Sequence, residues 1–204
     1  MKVYKEFVKR VVPTLGKSEL RLCMILLDIC NKSECIVDKV DVYKHPLFTN
    51  TLKQRFNKVI KTISGKIIHG KYKTESGETH VLFNKIELGI FTISVKMNDF
   101  LFNYFRRNGY NEIPAILFEK FNHVYETKFF MWFKTWEKEK EQKITVDALK
   151  TFLNKQYRTG DFISMCIKPV LQKMLIYGIE IEMIKILNEN DKRYLDSLCF
   201  KLVE

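Results

Sequence analysis

The segment from Thr49 to Ser64 constrains the fold more than any other part of the chain. Leu52, Phe56, Val59, Ile60 and Ile63 recur at spacings of four, three, one and three, which draws one apolar stripe along a helix and fits no strand. Thr49 or Asn50 can cap its start and Gly65 supplies a stop. One face is therefore core. The other displays Lys53, Gln54, Asn57, Lys58 and Lys61, with Arg55 at the side, and no acidic residue occurs between Val42 and Thr74.

The neighbouring segments complete a recognisable plan. Ser18 can cap a helix whose body, Leu20 to Ile29, is apolar on almost every side, as a central core helix is. Asn31-Lys32-Ser33 ends it, Cys35-Ile36-Val37 reads as a short strand, and Val40 to Tyr43 as a short helix that must stop before Pro46. Beyond Gly65, Lys66 to Tyr72 and His80 to Ile86 read as a hairpin around the polar loop Glu75-Ser76-Gly77-Glu78, with Ile90 to Val95 as a third strand. Helix, strand, short helix, basic helix and hairpin, in that order, predict a winged-helix domain.

The second half repeats this order. Arg106-Arg107-Asn108-Gly109-Tyr110-Asn111 is polar with a turn dipeptide and Pro114 can open a helix, so the expected domains are 1–110 and 111–204. Phe121 to Trp136 predicts an aromatic-rich helix, Glu137 to Lys143 a solvated end and loop, and Ile144 a minimal strand. Thr145 caps a helix marked by Val146, Leu149, Phe152 and Leu153, and a loop from Lys155 to Gly160 follows. Asp161 is the expected cap of the next helix, with Phe162, Met165, Cys166, Pro169 and Val170 inward, Ser164, Lys168 and Gln172 on the opposite side, and a kink at Pro169. Ile179 to Ile186 alternates at period two, Asn188 to Asp191 turns, and Ser197 to Val203 returns as a second hairpin. The expected fold class is α+β, two winged helices in tandem.

Charge narrows the function. A net charge of +11 over 204 residues gives a surface that draws polyanions, nucleic acid first among them. No run is long and apolar enough for a membrane span, the first ten residues mix charge too finely for a signal peptide, and no basic amphipathic helix stands apart from the core pattern. The expectation is a cytoplasmic protein away from membranes. The five cysteines form no C-x-x-C pair and four lie in apolar runs, so reduced, packed thiols are expected; the four histidines lie far apart, and no metal or cofactor is called for. Gly16-Lys17-Ser18 lacks the first glycine of a phosphate-binding loop, and the paired histidines of nicking enzymes are absent. No catalytic residue is expected.

The acid-free face points to duplex DNA. Lys53, Arg55, Lys58 and Lys61, with Lys71 and Lys73 of the following hairpin, suit phosphates, while Gln54 and Asn57 can make paired hydrogen bonds to adenine. Arg158, and Lys192 and Arg193 at the second hairpin's tip, suit phosphates as well. A solvated surface is the plainer reading of such lysines. For Tyr125, Phe129, Phe130, Trp132, Phe133 and Trp136, stacking on unpaired bases is weighed against core and partner surface, and core is preferred.

Ile144-Thr145-Val146-Asp147-Ala148-Leu149-Lys150-Thr151-Phe152-Leu153, then Tyr157 and Asp161-Phe162, then Ile167-Lys168-Pro169-Val170-Leu171 and the final hairpin resemble the iteron-binding plasmid replication initiators, the Rep family of tandem winged helices. The aromatic helix around Tyr125, Phe129, Phe130 and Phe133 fits the family's preceding helix. That resemblance implies that Ser164, Lys168, Gln172 and Lys173 contact DNA. It also implies binding of repeated sites, dimers that repress transcription, and opening of an A·T-rich origin for host replication proteins. Two alternatives stay open: a sequence-specific transcription repressor on the same scaffold, and a protein assembly module whose lysines only keep it soluble.

Overall fold

A computed structural model describes residues 2–64, 66–70, 78–107, 109–113, 120–121 and 123–203, with backbone alone at 67–70 and 78–79. The chain divides into two compact units, Met1–Asn122 and His123–Glu204.

The first unit opens with β1 (Lys2–Tyr4) and α1 (Lys5–Arg10), followed by the buried helix α2 (Lys17–Ile29). Ser18 does not cap α2. The chain enters at Gly16, whose N–H donates to Glu19 Oε2 at 3.0 Å, so the reaching carboxylate does the capping from inside the helix. Next come β2 (Glu34–Asp38), α3 (Lys39–Lys44) and α4 (Asn50–Ser64). Cys30 and Cys35, expected as free thiols, are joined in a disulfide across the turn between α2 and β2, their Cα atoms 6.0 Å apart. Cys23, Cys166 and Cys199 are free and buried.

Two hairpins follow α4, where the sequence predicts one hairpin and a third strand. β3 (Ile67–Gly70) pairs with β4 (Glu78–Val81), and β5 (Phe83–Leu88) with β6 (Thr92–Met97), both antiparallel. The expected strand His80 to Ile86 breaks at Leu82, which is fully buried. Its N–H donates to Lys66 O (2.9 Å) and its carbonyl accepts from Asn98 N–H (3.1 Å), so the chain changes sheets there. Ile90 and Phe91 lie in the turn ahead of β6, closed by Gly89 N–H to Thr92 O at 2.9 Å. A Cβ at Gly89 would lie 2.9 Å from Thr92 Oγ1, too close for a turn this tight. β2 pairs with β6, giving a three-stranded sheet of order β2-β6-β5.

The unit closes through α5 (Asp99–Arg107) and β7 (Tyr110–Glu112), which pairs with β1 so that Lys2 faces Glu112 and Tyr4 faces Tyr110. Gly109, at φ +78°, makes the left-handed turn into β7. This ladder carries the first unit past residue 110, where the sequence reading divides the chain. The physical reason is that Tyr110–Glu112 complete a ribbon with the chain's first strand, a partner too distant for periodicity to reveal.

The second unit contains α6 (Val124–Trp136), β8 (Glu141–Thr145), α7 (Val146–Leu153), a long third helix, and the hairpin β9 (Ile181–Leu187) and β10 (Leu195–Leu202). Its sheet order is β8-β10-β9, the connectivity of β2-β6-β5 again. Thr145 caps α7, its hydroxyl accepting Ala148 N–H at 3.2 Å. The charged segment read as a loop forms β8 from Glu141 onward, because pairing with β10 makes a strand of alternating exposure out of weak strand formers. The core gathers Phe129, Phe130, Phe133, Leu149, Phe162, Ile167, Val170, Met174, Leu198 and Phe200, all fully buried. Trp132 and Phe129 each meet Phe200 edge-on at 5.4 Å between ring centroids. The aromatic set is core, except for Tyr125, which is half-buried.

No helix among the described residues is long and apolar enough to cross a membrane.

Candidate nucleic-acid interface

Helix α4 holds the first cluster. Leu52 and Ile63 are fully buried and Phe56, Val59 and Ile60 nearly so, as the stripe requires, and α4 packs on α2. Thr49 Oγ1 accepts Leu52 N–H at 3.3 Å, fixing where the helix begins. With that phase set, Lys53, Gln54, Arg55, Asn57, Lys58 and Lys61 are all exposed. Among the described residues none of these cations is in an ion pair, so their charge projects into solvent. Lys71 and Lys73 lie outside the described residues.

Sequence reasoning missed the contribution of α2. Where its first turn borders α4, a groove of about 230 Å³ is lined by Lys17, Ser18, Glu19, Arg55, Lys58 and Thr62. A second of about 160 Å³ is lined by Lys17, Ser18, Arg21, Thr49 and Thr51. The signal in the sequence is slight: Lys17 and Arg21 are four apart, hence on one face of a helix otherwise apolar.

In the second unit the third helix is continuous but not uniform. It begins as α8 (Thr159–Phe162), passes through a π-helical stretch (Ile163–Ile167), and continues as α9 (Lys168–Ile176). Arg158, not Asp161, occupies the N-cap position, and no side chain caps it. Pro169 does not end the helix. It has no N–H to give the carbonyl of Met165, and its ring crowds that carbonyl. The wider π turn relieves the crowding, with Lys168 N–H closing on Ile163 O.

The expected inward placement of Met165 is overturned: it is 57% exposed, because Ile163, Ile167 and Met174 set the core side of the helix. Ser164, Met165, Lys168 and Gln172 are exposed together, with Ser164 Oγ donating to Asp161 O at 3.2 Å, and Arg158 is exposed ahead of them. Lys173 is elsewhere engaged. Its ammonium donates to Glu126 Oε2 at 2.8 Å, and that carboxylate is only 5% exposed. Burial alone would raise the Glu126 carboxyl, but the His123 backbone N–H and Lys173 outweigh it and hold it below the usual range. Lys173 thus ties the helix to α6. Lys192 and Arg193 are exposed in the β9–β10 turn, where Arg193 pairs with Asp191 at 2.9 Å. Lys155 lies over the rings of Tyr125 and Tyr157, 4.7 and 5.5 Å from their centroids.

Each unit therefore offers one long helix with an exposed polar face beside a three-stranded sheet, in the same connectivity. It is similar in fold to the Pi initiator protein. The structure of that protein in complex with iteron DNA matches with a TM-score of 0.74 and 12% sequence identity, over 100% of this chain and 97% of the other. Domains 2 and 3 of RctB match in two structures: TM-score 0.57 and 10% identity over 93% of this chain and 84% of that one, and 0.52 and 10% over 92% and 81%. At such identities what is shared is the fold. No protein-family model and no curated protein sequence matches the chain.

Among the described residues no three His, Cys, Asp or Glu side chains gather in a way that would hold a metal ion.

Proposed function

We propose that the chain is a non-catalytic, sequence-specific duplex DNA-binding protein of two winged helices that acts as a replication initiator at repeated sites. The observation that carries the reading is the face of α4, where Lys53, Arg55, Lys58 and Lys61 stand exposed with Gln54 and Asn57 among them, and where the Glu19 side chain of α2 borders the groove beside Arg55 and Lys58. Four exposed cations on one face suit a row of phosphates, and the two amides suit base edges in a groove that admits a helix. Lys17 and Arg21 at the start of α2 extend the cationic surface, as the first helix of such a pair does when it lies against the backbone. In the second unit Arg158, Ser164, Lys168 and Gln172, with Lys192 and Arg193, form the corresponding set, while Lys173 positions the helix. The fold shared with the Pi initiator, a protein described with iteron DNA, supports the initiator role over a repressor's. Homodimers and host replication proteins as further partners, and a cytoplasmic setting, belong to the same proposal.

The assembly reading has one observation in its favour. Ile90 and Phe91, at the β5–β6 turn, are 83% and 79% exposed, apolar where a phosphate contact needs charge.

The test is selection of bound fragments from random duplex DNA, followed by salt titration. Direct repeats are expected, and Lys53, Lys58 and Lys61 changed together to Ala should lower the slope of log K against log salt by about 2.7, at ~0.9 per phosphate. A lone inverted repeat would favour the repressor, and an unchanged slope with no retention on a DNA column would favour assembly.

A further inference from the structure

The exposed side of the second unit's long helix carries three large apolar side chains, Met165, Leu175 and Ile176, of which Met165 stands in its first half between Ser164 and Lys168. Ser164, Lys168 and Gln172 offer hydrogen bonds, and Met165 among them offers only a thioether on a flexible stem. A single exposed apolar side chain is ordinary on a protein surface. This one is set apart by how it is presented. Phe162, Ile163, Cys166, Ile167 and Val170 already fill the core side of the helix. The π-helical stretch at Ile163–Ile167, next to Pro169, holds Ser164 and Met165, which are exposed as neighbours. A π turn costs hydrogen-bond geometry and is found most often where a side chain has a task.

We infer that Met165 is a specificity residue that selects thymine by packing on the base's 5-methyl group. The inference rests on the DNA-binding reading of this helix. Of the four bases only thymine shows an apolar group in the major groove, and an apolar side chain is its natural complement. The neighbours fit the same task. Lys168, one turn on, reaches a phosphate or a guanine, Gln172 an adenine, and Met165 supplies the one contact that neither can. Pro169 is a positioning residue in this arrangement, holding the turn that presents Met165 without touching the base.

The experiment uses the full chain and the duplex it prefers after selection from random sequence. Each thymine is replaced in turn by deoxyuridine, which removes the methyl group and alters no hydrogen-bonding atom. The expected result is one position per bound site where deoxyuridine weakens binding about fourfold, the worth of one buried methyl group. Met165→Ala should lose a similar factor on the unmodified duplex, become indifferent to deoxyuridine at that position, and melt at the wild-type temperature, since Met165 fills no part of the core. Wild-type indifference to deoxyuridine everywhere, or an undiminished penalty in Met165→Ala, overturns the inference while leaving the DNA-binding reading intact. If selection yields no preferred duplex at all, that reading falls and the Met165 assignment falls with it.

Discussion

Lys168 and Lys173 carry the same charge on the same helix, and their surroundings give them different work. Lys168 is exposed; Lys173 donates to a buried carboxylate. Lys168→Ala is therefore expected to lower the salt slope of duplex binding by about 0.9. Lys173→Ala should leave the slope alone and cost about 1–2 kcal/mol in unfolding experiments, less than a fully enclosed pair because the lysine is 24% exposed. Acid should act through the partner. Glu126 titrates below its ordinary value when folded, so the stability it contributes is present above that value, about 4.3, and lost as pH falls through the folded value. Thermal unfolding between pH 3 and 6 should show Glu126→Gln losing part of this acid sensitivity; parallel curves would contradict the pairing. None of this was legible in the sequence, because Glu126 and Lys173 are 47 residues apart. The face of α4 was legible to the residue, because a 3.6-residue period fixes which side chains share a side once the stripe is known.

At the scale of elements, local chemistry predicted what local chemistry decides. Thr49 and Thr145 cap their helices through their own hydroxyls, and Val40 to Tyr43 forms a short helix that stops ahead of Pro46. The misreadings fall where tertiary partners decide. Leu82 interrupts an apolar run because the core takes its side chain, and β8 rises from a charge run because β10 pairs with it. Pro169 marks the instructive middle case: the sequence flags a kink, and the structure answers with a π turn that contains the exposed Met165. Pro169→Ala restores a backbone donor and removes a crowded ring, so it is expected to raise the unfolding midpoint, with a gain in unfolding free energy no greater than the ~3 kcal/mol a helical proline costs. The same change should weaken discrimination among DNA sites. A lower midpoint would show that the π turn has a source other than the proline.

For the whole molecule, the repeated connectivity β2-β6-β5 and β8-β10-β9 was legible as element order. The expected hairpin forms as β3–β4 but stands apart from the sheet β2-β6-β5, whose own hairpin β5–β6 was not read, because order alone does not say which strands pair. A fragment from His123 to Glu204 is expected to fold in one cooperative transition and to bind duplex DNA roughly 10²-fold more weakly than the full chain, having lost the tethered second grip. Equal affinities would mean that the first unit adds nothing to binding. The ribbon of β1 and β7 has a mechanical meaning. Because the strands are antiparallel with Lys2 opposite Glu112, the chain ahead of Lys2 and the chain beyond Glu112 leave the ribbon at the same end. Tension between them loads its hydrogen bonds one after another, as a zipper is opened, and never all together in shear. Pulled by its two ends in an optical trap, the protein should yield first by peeling Lys2–Tyr4 from Tyr110–Glu112, a step that draws the buried Val3 and Tyr4 side chains out of the first unit's core.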